Sequence, residues 1–175
     1  MSTRIEIDIG RQELTLLAGN EVLARYPVST ALNGAGETHG SGCTPRGMHR
    51  VRAKVGAGCA SGTVFVGRRP TGEVYSPELA AQQPGRDWIL ARILWLTGCE
   101  HGVNRGGGVD TLRRFIYIHG CPDGTPLGVA ASHGCVRMAN ADVIDLFERV
   151  AVGARVYIHS DHAPPHTGCT EGTEP

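Results

Sequence analysis

Ile116-Tyr117-Ile118-His119-Gly120 and Ser132-His133-Gly134-Cys135-Val136-Arg137-Met138, with 12 residues between His119 and Ser132, carry both the architecture and the chemistry of this chain. The β-branched and aromatic residues before His119 predict a strand over Leu112 to His119, ending on the imidazole. Cys135 sits in a Gly-containing turn ahead of a helical pattern, where backbone N–H groups converge on a developing oxyanion and favour a thiolate. A free thiol has a pKa of about 8.5 and is only partly ionised at neutral pH, so it needs a neighbouring base. His119 and Cys135 lie 16 positions apart, and the Pro122 to Ala131 stretch folds one back on the other. Taken singly, each would be a core thiol or a hydrogen-bonded histidine; the joint pattern is what points to nucleophilic chemistry.

Outward from this segment the pattern is mostly of strands. Ile5, Ile7 and Ile9 alternate with Arg4, Glu6 and Asp8, and Leu14, Leu16 and Val22 to Val28 continue the alternation across a Gly19-Asn20 turn. Two or three antiparallel strands follow. Asn33 to Gly47 is Gly-rich and polar, closing with the turn Thr44-Pro45-Arg46-Gly47 before a strand over Met48 to Val55. Asp87 is placed to cap a helix on which Ile89, Leu90, Ile93, Leu94 and Leu96 recur at helical spacing, with Gly98 at its end. A glycine run from Gly102 to Gly108 reads as a mobile loop. Asn140 is placed to cap a last helix carrying Val143, Leu146, Phe147 and Val150, stopped by Gly153, and Arg155 to His159 returns as a strand. Residues 1–159 therefore read as one domain and 160–175 as a disordered polar tail.

Composition narrows the function classes. With 17 Lys+Arg against 17 Asp+Glu, the formal charge is zero, which disfavours nucleic-acid and anionic-membrane partners. The 25 glycines and 10 prolines imply frequent turns and short elements. Six cysteines in 175 residues are too few for a disulfide scaffold. The charged, alternating N-terminus lacks the apolar run of an export signal, so a cytoplasmic chain with reduced thiols is the expectation.

The two quoted segments resemble the signature of the L,D-transpeptidase catalytic domain family (YkuD-type): a His-Gly, a variable stretch, then Ser/Thr-His-Gly-Cys, an aliphatic residue and Asn or Arg. Val28-Ser29-Thr30 and Cys43-Thr44-Pro45-Arg46-Gly47 extend the similarity over roughly Ile5 to Ile158. The resemblance implies a mainly β fold with a few helices, a β-sandwich of mixed sheets in a single domain. It implies that Cys135 is the nucleophile and His119 its base. Ser132, His133 and Gly134 would shape the nucleophile turn, with oxyanion donors at Gly134 and Cys135. Arg137, Ser132 and Gly120 would stand on the substrate side, Arg137 gripping a carboxylate unless it makes an ion pair, with Asp142 as the candidate partner. Partners would be peptidoglycan stem peptides or muropeptides, and no cofactor is implied.

The stretch Arg86 to Asp110 also resembles short, signal-less members acting as L,D-carboxypeptidases in murein recycling. Removal of terminal D-alanine through a Cys135 thioester is thus the expected activity, with cross-linking or D-amino-acid exchange as the alternative. A different class rests on the doubled His119-Gly120-Cys121 and His133-Gly134-Cys135, which would make a non-enzymatic zinc module. No C-x-x-C is present and a closed metal site would quench the nucleophile, so no metal is expected. His159, His162, His166 and Cys169 have ligand-like spacing but read as a solvated end. Cys121 and Cys135 are also a conceivable redox pair.

Overall fold

The computed structural model describes residues 2–160. The N-terminal alternation becomes β1 (Thr3–Asp8), with Ile5 and Ile7 fully buried, and β2 (Glu13–Ala18) and β3 (Glu21–Ser29) follow as an antiparallel meander. β4 (Gly47–Val55) begins after the Gly-rich segment. Next come the hairpin β5 (Thr63–Val66) and β6 (Arg69–Val74) and a short helix α1 (Pro77–Gln82). Ser76 caps α1 by accepting the Leu79 N–H at 3.1 Å, and proline opens its first turn. The rest of the chain is β7 (Ile89–Gly98), β8 (Tyr117–Cys121), β9 (Val136–Ala139), α2 (Asn140–Arg149) and β10 (Arg155–His159).

Strand order runs β4-β10-β1-β2-β3-β9-β8-β7-β5-β6, and β4 pairs with β7 as well. That extra pairing closes the strands into a barrel-like ring, with the β5-β6 hairpin as an outlying flap. Pairing is mixed, with β1–β10 and β8–β9 parallel and the other pairs antiparallel. The mainly β, single-domain expectation holds. α2 packs on β7, β8 and β9 and buries Val143, Leu146 and Phe147 among Leu94, Ile118 and Met138. Each such side chain contributes about 1.5–3 kcal/mol by leaving water.

Three sequence expectations give way. The segment predicted as a helix behind Asp87 is β7, because its apolar residues are covered on both faces and almost continuous burial satisfies either period. Ala91 takes a left-handed φ of 67° where β7 slips register against β8 between Leu90 and Ile93. The neighbouring Arg92 is buried, and its guanidinium donates to the Cys59 and Ala91 carbonyls, each at 2.8 Å. The strand predicted from Leu112 starts only at Tyr117, since residues 111–115 form turns that leave Phe115 at φ 55°. α2 does begin at Asn140, but Ala139 holds the cap position and no side chain caps it. Residues 161–175 lie outside the described residues, and with them the predicted tail and the His162, His166 and Cys169 set.

Candidate active site

The parallel register of β8 and β9 builds the site. Ile118 pairs with Val136, His119 with Arg137 and Gly120 with Met138. Ile118, Val136 and Met138 are fully buried in the main core. By alternation, Tyr117, His119, Cys121, Cys135 and Arg137 share the opposite face. Cys135 is two positions before Arg137 on β9's approach, diagonal to His119 and roughly 8 Å away between Cα atoms by strand spacing and rise. The thiol and the imidazole are therefore neighbours on one surface, as the sequence pattern implied.

The Cys135 Sγ accepts the Tyr117 N–H and donates to the Phe115 carbonyl, both at 3.3 Å. Burial pushes this thiol up to about 11, against a smaller downward pull from the Tyr117 N–H. The expectation of helix-assisted ionisation is thus corrected: β9 intervenes between Cys135 and α2, about 13 Å of strand beyond the reach of a helix terminus. His119 is buried as well, and desolvation holds its pKa below the ordinary imidazole value. The resting groups are therefore a neutral thiol and a neutral imidazole.

His119 is held from behind. Its Nδ1 lies 2.7 Å from the Gly120 carbonyl, which as an acceptor makes Nδ1 the protonated nitrogen and leaves Nε2 with the free lone pair. Gly120 is buried, and a Cβ there would stand 2.2 Å from the Asn140 Oδ1 and 2.7 Å from the Leu90 carbonyl. Its place is behind the imidazole, not on the substrate surface where the resemblance put it. Asn140 packs against this glycine with its Oδ1 buried and without a hydrogen-bond partner among the described residues.

The nucleophile loop is suspended from two sides. The Thr30 carbonyl accepts the Ala131 and Ser132 N–H groups at 3.0 and 2.9 Å, and buried Gln12 fixes Thr30 through its amide. Thr44, in the turn singled out by sequence, donates its hydroxyl to the Gly134 carbonyl at 2.9 Å. Gly134 has φ 133°, and a Cβ there would come within 3.3 Å of the Cys43 carbonyl and of the Ile116 Cδ1. Ser132 Oγ donates to the Cys135 carbonyl at 2.5 Å and accepts the Gly134 N–H at 3.2 Å. That N–H, expected as an oxyanion donor, is engaged within the loop, and Ser132 serves as its brace. Arg114, which sequence reading passed over, binds the Gly36, Glu37 and Cys43 carbonyls and locks the Gly-rich segment beside the thiol.

Asp87 is the larger omission. Its carboxylate lies 3.1 Å from Arg137 Nη2 and 3.8 Å from His133 Nδ1. Arg137 therefore pairs with Asp87 and not with Asp142, which sits on α2. The other Arg137 arm donates to the Ala131 carbonyl at 3.3 Å. His133 is 80% exposed and borders the mouth of the site. One step beyond Arg137, a pocket of about 150 Å³ is lined by Arg86, Asp87, Trp88, Cys121, Thr125 and Arg137. No sequence spacing links Asp87 to Arg137; only the strand assignment of the segment after Asp87 would have shown it.

The doubled H-G-C does not converge. Cys121 pairs in register with Ala139, four positions from Cys135 or roughly 13 Å along the strands, beyond the roughly 7 Å Cα separation a disulfide spans. The Cys121 Sγ donates to the Met138 carbonyl at 3.2 Å, and burial raises its pKa. Among the described residues no group of three or more His, Cys, Asp or Glu side chains is disposed to hold a metal.

Comparison with known proteins identifies the family and the fold. The family model of the L,D-transpeptidase catalytic domain (YkuD) matches residues 2–158. The chain is 49% identical over 43 residues to the Probable L,D-transpeptidase YbiS of Escherichia coli (strain K12), a match spanning 25% of this chain and 14% of that protein. It is 41% identical over 49 residues to YqjB of Bacillus subtilis (strain 168), or 28% of each chain. Among solved structures, an L,D-transpeptidase from Mycobacterium smegmatis superposes with a TM-score of 0.53 at 19% identity, covering 91% of this chain and 59% of that one. The Ldtfm-avibactam carbamoyl enzyme gives 0.55 at 17% identity, covering 93% and 50%. The solved relatives share the fold, and the match over residues 2–158 places this chain in the L,D-transpeptidase catalytic domain family.

Proposed function

We propose that the protein is a cysteine-dependent L,D-carboxypeptidase that removes the terminal D-alanine of peptidoglycan tetrapeptides in cytoplasmic murein recycling. The observation that carries this reading is the order of groups along β8 and β9: Cys135, then His119 beside Arg137, then the small open pocket that Cys121 helps to line. A small terminal residue seated in that pocket puts its carboxylate on Arg137, whose planar fork binds carboxylates bidentately. Its scissile amide then lies between pocket and thiol, with His119 on the leaving-group side.

In this reading His119 Nε2 takes the Cys135 proton as Sγ bonds to the carbonyl carbon. The C–N bond breaks, and His119 returns that proton to the departing D-alanine amine. Water then enters, gives a proton to His119 and attacks the thioester; the C–S bond breaks and the thiolate recovers the proton. Transpeptidation uses the same thioester with an amine in place of water, and the name carried by YbiS favours that second reading. Mass spectrometry of products from a defined tetrapeptide separates them: tripeptide and free D-alanine are expected, whereas dimers or exchanged D-amino acids without tripeptide overturn the hydrolytic reading.

A further inference from the structure

At the far end of the ring, adjacent strands bring three guanidinium groups into one row. The antiparallel register of β10 and β4 sets Arg155 directly opposite Arg50. β1 runs parallel to β10 with Ile5 opposite Val156, so Arg4, one residue earlier, falls beside Arg155. Ile5, Val156 and His49 point into the core, which leaves all three arginines on the outer face. They line a cavity of about 310 Å³ together with the backbone of Gly19 and Gly153.

Like charges directly opposite on paired strands oppose folding. Compensation is slight. Glu6 approaches Arg4 at 3.5 Å, and among the described residues Arg50 and Arg155 make no ion pair. Arg50 donates to the Gly153 carbonyl at 2.9 Å and Arg4 to the Gly19 carbonyl, contacts that orient the two forks without neutralising them. β3, 9 residues long, separates the Gly19 turn from Ser29 and the nucleophile loop by about 30 Å, so this cavity is no part of the catalytic pocket.

We propose that the Arg4-Arg155-Arg50 row is a binding site for a diphosphate-type oxyanion. Three planar donor forks at strand spacing match the spread of oxygens on linked phosphates better than a single carboxylate does. A nucleoside diphosphate and a polyphosphate chain both present that chemistry. The site would tether the enzyme to a phosphate-bearing carrier while the distant pocket works on the peptide.

Calorimetric titration of the full chain with inorganic pyrophosphate tests the site, with uridine diphosphate and a polyphosphate chain as parallel arms. Saturable pyrophosphate binding is expected, weakened about tenfold or more in Arg155→Gln and in Arg50→Gln, with tripeptide release unchanged in both. Tighter binding of the nucleotide or of the polymer identifies the source. The unliganded Arg155→Gln chain is expected to melt at the same temperature or higher, because it loses only repulsion. Absence of saturable binding, equal binding by the variants, or a lower melting temperature for Arg155→Gln overturns the proposal.

Discussion

Asp87 holds the largely buried Arg137 at 3.1 Å while standing 3.8 Å from the exposed His133, so one carboxylate ties the pocket wall to the loop that carries Cys135. The carboxylate is itself 44% exposed, which limits the pair's value to stability to below about 1 kcal/mol. Its consequence is for orientation. Asp87→Asn is expected to raise KM for a tetrapeptide about three- to tenfold, leave kcat within about threefold and barely move the melting temperature. Steady-state kinetics with thermal unfolding checks this. A fall in kcat of a hundredfold at constant KM would instead place Asp87 in proton transfer.

The neutral resting pair has a signature in pH. With the Cys135 thiol pushed up to about 11 by burial, alkylation by iodoacetamide is expected to climb steadily past pH 9. A plateau near neutrality, read by peptide mapping of the alkylated residue, would mean a preformed thiolate and imidazolium.

Gly120 has no room for a side chain, since a Cβ would meet Asn140 Oδ1 at 2.2 Å and the Leu90 carbonyl at 2.7 Å. Gly120→Ala is expected to cost about 1–3 kcal/mol in denaturant unfolding and to lower activity by displacing the carbonyl that orients His119. An unchanged midpoint would show that β8 and α2 separate more easily than their packing implies.

Acid should loosen the fold before it protonates most carboxylates. His49 is fully buried, with Nδ1 against the Gly47 carbonyl and Nε2 against Thr111 Oγ1, each at 3.0 Å, and burial holds it at about 4. The unfolded imidazole takes up its proton near the ordinary value of about 6.5. Stability from a neutral buried histidine is therefore complete above that pH and is lost as pH falls from there toward 4, by roughly 3 kcal/mol at most. Lowered His119 adds a loss of the same sign. Equilibrium unfolding between pH 7 and 4 should show the decline, and His49→Gln should make it shallower.

Much of this arrangement was legible in the chain because its signals are local. Alternation in Ile5-Glu6-Ile7, the Gly19-Asn20 turn and the stripe through Val143, Leu146 and Phe147 each report an element buried on one face. Ile89 to Gly98 is not such an element. A strand covered on both sides, with a bulge at Ala91, has no period to distinguish it from a helix, and the error carried Asp87 away from the site. His119 and Cys135 were legible from the joint pattern of their two segments, although β8 runs on to Cys121 and so places His119 in mid-strand and not at the expected strand end. Arg114 and Gln12 were not, since both act by binding carbonyls or amides of loops distant in sequence.

The central claim is that Cys135, deprotonated by His119, carries the acyl group. Rapid quenching of the full chain with a tetrapeptide, followed by digestion and mass mapping, tests it most directly. The account predicts a tripeptidyl thioester on Cys135 alone, absent from Cys135→Ala and formed at least about a hundredfold more slowly in His119→Gln. An adduct on Cys43 or Cys121, or undiminished tripeptide release by Cys135→Ala, would contradict it.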